Sequence, residues 1–194
     1  MKKLIGPKKF NTAVFISGNG SNLLNLIKYS LKKRSLIRIK AVISNNLEAK
    51  GLEYAKKYRI TKKILKFKNI IDDEKKILRF LKNKNINLIC LAGFMKILSK
   101  NFIKKFHGEI LNIHPSLLPK YKGLNTHSRA IKNKEKFSGC TVHFVNAKLD
   151  AGQIILQKKI KIYKNDNPNS LAKRILKHEH KIYPQAIEKL STNL

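Results

Sequence analysis

The sequence predicts an α/β fold: a single-domain, Rossmann-like open sheet, mostly parallel, with antiparallel strands added late and helices on both faces. Three observations lead there. Short apolar runs at Asn11–Ser17, Ile37–Ile43 and Ile86–Leu91 alternate with segments of helical apolar spacing, and such alternation argues for parallel strands joined by right-handed crossovers. Phe137–Val145 and Gln153–Ile162 follow one another across a short loop and suit a hairpin. Between Ile86–Leu91 and that hairpin lies Leu111–Pro119 (LNIHPSLLP), whose strand must end at Pro115, which cannot donate to a ladder. Side chains alternate along a strand, so Asn112 and His114 share a face at its C-terminal end. In open α/β sheets that end is where ligands bind.

Taken in order, Asn11–Ser17 is a buried strand and Gly18-Asn19-Gly20-Ser21-Asn22 a turn. Leu23–Lys33 then places apolar residues at 23, 24, 27 and 31, as a helix does. Strand Ile37–Ile43 is followed by a helix over Leu47–Tyr58, a short strand Thr61–Leu65 and a helix over Asp72–Lys82 with acidic residues in its first turn. Strand Ile86–Leu91 opens into Ala92–Leu98, where Gly93 marks a loop. A short helix over Ser99–Phe106 leads to the Asn112–His114 strand, and Thr126–Lys132 forms another. After the hairpin, Ser170–Leu190 is a long helix with Ser170 as its cap and a kink at Pro184. One domain spans residues 1–194, with 1–10 as an N-terminal extension.

At 194 residues the chain buries a sizeable core without staples. Cys90 and Cys140 stand far apart in apolar runs and read as buried free thiols of a reducing compartment. Gly6, Pro7, Lys8 and Lys9 interrupt any leader-like apolar run, and no run approaches the roughly 20 residues of a membrane span. A soluble, cytoplasmic protein is expected, with no membrane partner. The formal charge of +32 invites a nucleic-acid reading. Against it, the basic residues are overwhelmingly Lys and are spread along the whole chain, with no aromatic-interleaved stacking motif. No nucleic-acid partner is expected; a basic surface also steers small anions toward a cleft.

The Asn112–His114 pair is the first candidate site. An amide and an imidazole side by side polarise a carbonyl and stabilise the oxyanion formed when it is attacked. The alternative is a strand end whose polar groups only satisfy the backbone. The strand–Gly loop–helix unit around Gly18–Asn22 is the second. It lacks the third Gly and the acidic residue of a dinucleotide site, and it lacks the Gly-Lys-Ser/Thr of a P-loop. Either it takes a single phosphate on the helix N-terminus, with Gly20, Ser21 and Asn22, or it is a tight turn before a helix. Asp150, the only acid from Lys136 to Asn165, is conspicuous against the basic background, though Asp before a small residue and Gly also fits ordinary turn chemistry. Met95, Ile97 and Leu98 fit an apolar slot or a helix entry. His178-Glu179-His180 cannot converge on a metal, because consecutive helical residues diverge. Cys140-x-x-His143 lacks partners at ligand spacing. No metal is expected.

Taken together, SGNGSNL (17–23), LAGFMKIL (91–98), LNIHPSLLPKYKGLNTH (111–127), TVHFV (141–145), LDAGQIILQ (149–157) and HEHKIYP (178–184) resemble the phosphoribosylglycinamide formyltransferase family, in family order and over nearly the whole chain. The resemblance implies the formyltransferase fold. It also implies transfer of a formyl group from 10-formyltetrahydrofolate, as co-substrate, to the amine of glycinamide ribonucleotide in purine biosynthesis. Asn112 would then hydrogen-bond the formyl oxygen. His114, as an imidazolium, would stabilise the tetrahedral oxyanion, and Asp150 would keep His114 charged. Gly20, Ser21, Asn22 and Glu179 would bind the ribonucleotide; Met95, Lys96, Ile97 and Leu98, with Asn112, would bind the folate. A monomer or weak homodimer is expected. The chain departs from the family at Ile70, where an Arg is usual (Lys68 is near in sequence), at Asn125 for His, and at Ala151 for Gly. Rival readings are methionyl-tRNA formyltransferase, which lacks the SGNGSN loop and carries a second domain, formyltetrahydrofolate deformylase, which carries a regulatory domain, and a non-enzymatic nucleic-acid-binding module.

Overall fold

A computed structural model describes residues 9–192; most of the expected extension over 1–10 lies outside the described residues. The elements run β1 (Phe10–Ile16), α1 (Ser21–Ser30), β2 (Ile37–Ser44), α2 (Gly51–Lys57), β3 (Thr61–Ile64), α3 (Ile70–Asn83), β4 (Leu88–Leu91), α4 (Lys100–Lys105), β5 (Glu109–His114), α5 (Thr126–Lys132), β6 (Phe137–Phe144), β7 (Ile154–Lys161) and α6 (Pro168–Thr192). The strands form one sheet in the order β3-β2-β1-β4-β5-β6-β7. Two compact units divide the chain: one reaches Lys96 and includes Lys105–Glu109, the other comprises Ile97–Lys104 and residues from Ile110 onward.

In the first unit β1 pairs in parallel with β2 and β4, and β2 with β3. Residues Thr12–Ile16 of β1 and all of β4 are buried, which is why these stretches read as continuous apolar runs without alternation. α3 starts at Asn69, whose side chain accepts from the Asp72 N–H at 3.3 Å, a side-chain N-cap. α2 is shorter than its apolar spacing suggests. Ser44 and Asn46 side chains take the N–H groups of Asn46 and Glu48 at 3.1 and 2.9 Å, so residues 44–48 turn before the helix can begin.

In the second unit β5 pairs antiparallel with β6, and β6 with β7, the expected hairpin. Both end strands of the sheet carry lysines, Lys62 and Lys63 on β3 and Lys158, Lys159 and Lys161 on β7. Charge there discourages addition of a further strand. α6 begins at Pro168, and its cap is Asn167 instead of Ser170. The Asn167 side chain accepts from the N–H groups of Asn169 and Ser170 at 3.0 and 2.9 Å, while the Ser170 hydroxyl accepts from the Asn167 N–H at 3.0 Å. That reciprocal pair is a capping box with Pro at the first helical position, so Ser170 serves from inside the first turn. The helix runs on through Pro184. Leu171, Ile175, Ile182, Tyr183, Ala186, Ile187 and Leu190 make its buried stripe, and the Tyr183 hydroxyl donates to the Leu111 carbonyl at 3.2 Å. Cys90 and Cys140 are buried free thiols. Among the described residues no helix is long and apolar enough to cross a membrane.

Candidate active site

The site grows from the end of β5. Asn112 and His114 lie two residues apart and face the same way, and the antiparallel register sets His143 of β6 directly opposite Asn112. After His114 the chain turns through Pro115–Pro119, and Thr141 of β6 holds that turn. Its hydroxyl donates to the Ser116 carbonyl at 2.6 Å and accepts from the Leu118 N–H at 3.3 Å. Gln157 of β7 adds a bond to the Leu118 carbonyl at 3.0 Å. The segment that leaves β5 is therefore tied to the hairpin behind it.

His114 Nε2 lies 2.9 Å from the Tyr121 carbonyl, which can only accept, so Nε2 carries a proton. Nδ1 then faces Asp150 Oδ2 at 3.4 Å. Asp150 has φ +45° and only 9% of its surface exposed. An acidic side chain tolerates that left-handed backbone, and here the conformation turns the carboxylate inward. Oδ2 also accepts from the Gly123 N–H at 2.9 Å. Asn112 Nδ2 uses its two protons on Asp150 Oδ1 at 3.4 Å and His143 Nε2 at 3.2 Å. His143 Nδ1 is 2.7 Å from the Phe144 carbonyl and donates to it, which leaves Nε2 free to accept. Asp150 thus faces the Asn112 amide, the His114 ring and the Gly123 N–H from one buried position.

Burial sets the charge balance. It pulls the His114 pKa below its ordinary value; the Tyr121 carbonyl and Asp150 oppose this, while His143 and Arg129 reinforce it, and the net shift is downward. Desolvation thus outweighs the partners that favour the charged ring. For Asp150, burial pushes the carboxyl up, but the adjacent His143 and His114 rings and the Gly123 N–H carry it below its ordinary value. It stays ionised at neutral pH.

The structure places the other expected residues as follows. Gly20, φ +71°, is the N-cap of α1 and offers it no side-chain hydrogen bond, next to half-buried Ser21 and buried Asn22. An uncapped N-terminus of this kind carries partial positive charge. A Cβ on Gly20 would come within 2.6 Å of Gly51 Cα, and the Gly51 N–H donates to the Gly18 carbonyl at 3.0 Å. Gly20 is therefore also a packing requirement. Glu179 falls within the buried stripe of α6, 8% exposed. Burial, with the Glu179 charge adding to it, pushes the Cys140 thiol up to about 12. Met95 and Ile97 are 60% and 68% exposed and Lys96 is exposed, whereas Leu98 is buried at 4%. Leu98 packs into the core, so its side chain lines no open slot. The Met95 N–H is held by the Ser17 hydroxyl at 2.7 Å. Asn125 has φ +57° at the start of α5, a conformation Asn adopts readily. Three contributors are not foreseen from the sequence: His143, the Tyr121 carbonyl and the Gly123 N–H. For His143 the signal is its place opposite Asn112 once β6 is paired with β5; two backbone groups leave none.

Comparison with known proteins identifies the family. The formyl transferase family model matches residues 10–187. A phosphoribosylglycinamide formyltransferase from Haemophilus influenzae is 42% identical over 179 residues, covering 91% of this chain and 84% of that protein. The human trifunctional purine biosynthetic protein adenosine-3 is 42% identical over 184 residues, and this chain spans only 18% of its length. The crystal structure of phosphoribosylglycinamide formyltransferase from Brucella melitensis superposes with a TM-score of 0.89 at 40% identity, over 95% of this chain and 96% of that one. By matched extent and by fold, the chain belongs to the formyl transferase family.

Proposed function

We propose that the chain transfers the formyl group of 10-formyltetrahydrofolate to the amine of glycinamide ribonucleotide, giving formylglycinamide ribonucleotide and tetrahydrofolate. The observation that carries this reading is the meeting of Asn112, His114 and Asp150 in one buried hydrogen-bonded cluster at the end of β5. The amine nitrogen attacks the formyl carbon and the carbonyl π pair moves onto oxygen. Asn112 donates to that oxygen, giving up its long bond to Asp150. A proton released by the amine is taken up at His114, where Asp150 Oδ2 faces Nδ1, and the resulting imidazolium stabilises the oxyanion. Collapse breaks the carbon–N10 bond and N10 takes the proton, so the net movement is one formyl group and one proton in opposite directions.

Gly20, Ser21 and Asn22 present the uncapped N-terminus of α1 to the ribonucleotide phosphate, and Glu179 contacts the same substrate. Met95 and Ile97 offer exposed apolar side chains to the folate, with Lys96, Asn112 and the backbone at Leu98. The chemistry uses no metal and no covalent enzyme intermediate. The protein works in the cytoplasm on two small anions, without nucleic acid or membrane, as a monomer or weak homodimer; the lysine-bearing end strands support this by opposing growth of the sheet. A transfer assay offering glycinamide ribonucleotide, initiator methionyl-tRNA or water as acceptor tests the proposal. Turnover with the ribonucleotide alone is expected, and turnover with tRNA or water in its absence would overturn it.

A further inference from the structure

The His114 bond to the Tyr121 carbonyl depends on a residue in an uncommon conformation. Tyr121 has φ +57°, a left-handed backbone that large aromatic residues rarely adopt. Its side chain is held on three sides. The hydroxyl donates to Glu135 Oε1 at 2.9 Å and accepts from Asn133 Nδ2 at 3.0 Å, and the Arg129 guanidinium lies 5.2 Å from the ring centroid. Glu135 Oε1 also takes the Lys120 ammonium at 2.8 Å, and Arg129 Nη1 donates to the Lys122 and Leu124 carbonyls at 2.7 and 3.3 Å. The residues on both sides of Tyr121 are therefore fastened to α5 and to the turn that follows it.

We propose that Tyr121 is a positioning residue for His114: its side chain, clamped by Glu135, Asn133 and Arg129, delivers its own carbonyl to His114 Nε2 and so keeps Nδ1 turned toward Asp150. The proposal rests on the formyl-transfer reading for its consequence, not for its geometry. A neutral imidazole has two tautomers, and the hydrogen bond at one nitrogen decides which is present. With Nε2–H committed to a fixed carbonyl, Nδ1 is the nitrogen left to take a proton. The Tyr121 carbonyl also raises the His114 pKa against the lowering by burial. The charged and titratable groups facing His114 are Asp150 on the β6–β7 loop, His143 on β6, and Arg129 and His127 on α5.

The test is nitrogen-15 imidazole NMR on the resting protein, alongside steady-state kinetics, for Tyr121→Phe, Glu135→Ala and Glu135→Gln. Tyr121→Phe removes the hydroxyl and keeps the ring under Arg129; Glu135→Ala removes its acceptor at a half-buried position; Glu135→Gln keeps an acceptor oxygen. Expected for the first two are loss of the fixed Nε2–H tautomer, a further downward move of the His114 titration, and a roughly tenfold or greater fall in kcat with KM unchanged. Glu135→Gln should restore wild-type behaviour. If both disrupting variants keep the wild-type tautomer and titration, or if Glu135→Gln fails as Glu135→Ala does, the clamp is overturned. Should Tyr121→Phe not fold, Glu135→Ala and Glu135→Gln decide between the same two outcomes. Because the NMR needs no substrate, the result stands even if the wild-type chain transfers no formyl group to glycinamide ribonucleotide.

Discussion

Asp150→Asn removes one charge and almost no volume from the hub of the site. Asn tolerates the left-handed backbone at φ +45° at least as well as Asp, and its side-chain oxygen can keep the Gly123 N–H bond of 2.9 Å. The fold should survive. Lost is the attraction for a protonated His114 at 3.4 Å, about 5 kcal/mol by Coulomb's law at an effective dielectric of about 20. Only part is realised, because partial exposure and the new amide dipole offset it. The new amide nitrogen would also face the Asn112 Nδ2 donor across 3.4 Å, which turns the Asn112 amide away from its present orientation. Both effects fall on the transition state, where His114 carries charge. Turnover should drop about a hundred- to a thousandfold, with circular dichroism and melting temperature close to wild type. Measured by the release of tetrahydrofolate under saturating substrates, a variant that keeps near-normal turnover would refute the reasoning and return Asp150 to turn chemistry.

Other expectations follow from the same geometry. Ser21→Asp places a carboxylate in the first turn of α1, where it stabilises the helix but repels a phosphate; melting temperature should hold or rise while KM for glycinamide ribonucleotide rises and that for the folate does not, and equal losses for both substrates would show the loop is only structural. Asp166, bonded to Arg174 and Ser170, has a carboxyl held well below its usual range by the guanidinium. Its folded pKa is depressed, so its contribution is fully present above the unfolded carboxylate value of about 4 and is lost as pH falls below it; thermal melts of Asp166→Asn and wild type should differ at pH 7 and converge in strong acid. Both thiols should resist alkylation in the native state, since Cys90 is fully buried and the Cys140 pKa is pushed up to about 12, and each should react once the chain is unfolded. Raising ionic strength should increase KM for both anionic substrates and leave kcat nearly constant, because surface charges more than about 8–10 Å apart are screened.

What was legible in the sequence were features set by local pattern. Strand–helix alternation and the hairpin emerge from periodicity, and the expected short helix matches α5 over Thr126–Lys132. So did the shared face of Asn112 and His114, since strand parity requires it. Element ends were less legible where side chains compete for backbone groups: Ser44 and Asn46 delay α2, and Asn167 takes the cap expected of Ser170. The balance of influences on His114 is hidden from the sequence for a different reason. Its partner Asp150 is visible in the sequence, but the burial that outweighs that partner is a property of the assembled core. Glu179 shows the converse case, since its spacing from Ile175 and Ile182 already places a carboxylate on the apolar stripe of α6.

The most direct measurement follows a carbon-13 label from the formyl group of 10-formyltetrahydrofolate, in the presence of glycinamide ribonucleotide, with wild-type protein and His114→Ala side by side. The label should appear on the ribonucleotide amine, with one tetrahydrofolate for each formyl group transferred, and His114→Ala should be slower by about a hundredfold or more with its fold intact. Label recovered as free formate, or a His114→Ala rate equal to wild type, would contradict formyl transfer through the Asn112, His114 and Asp150 cluster.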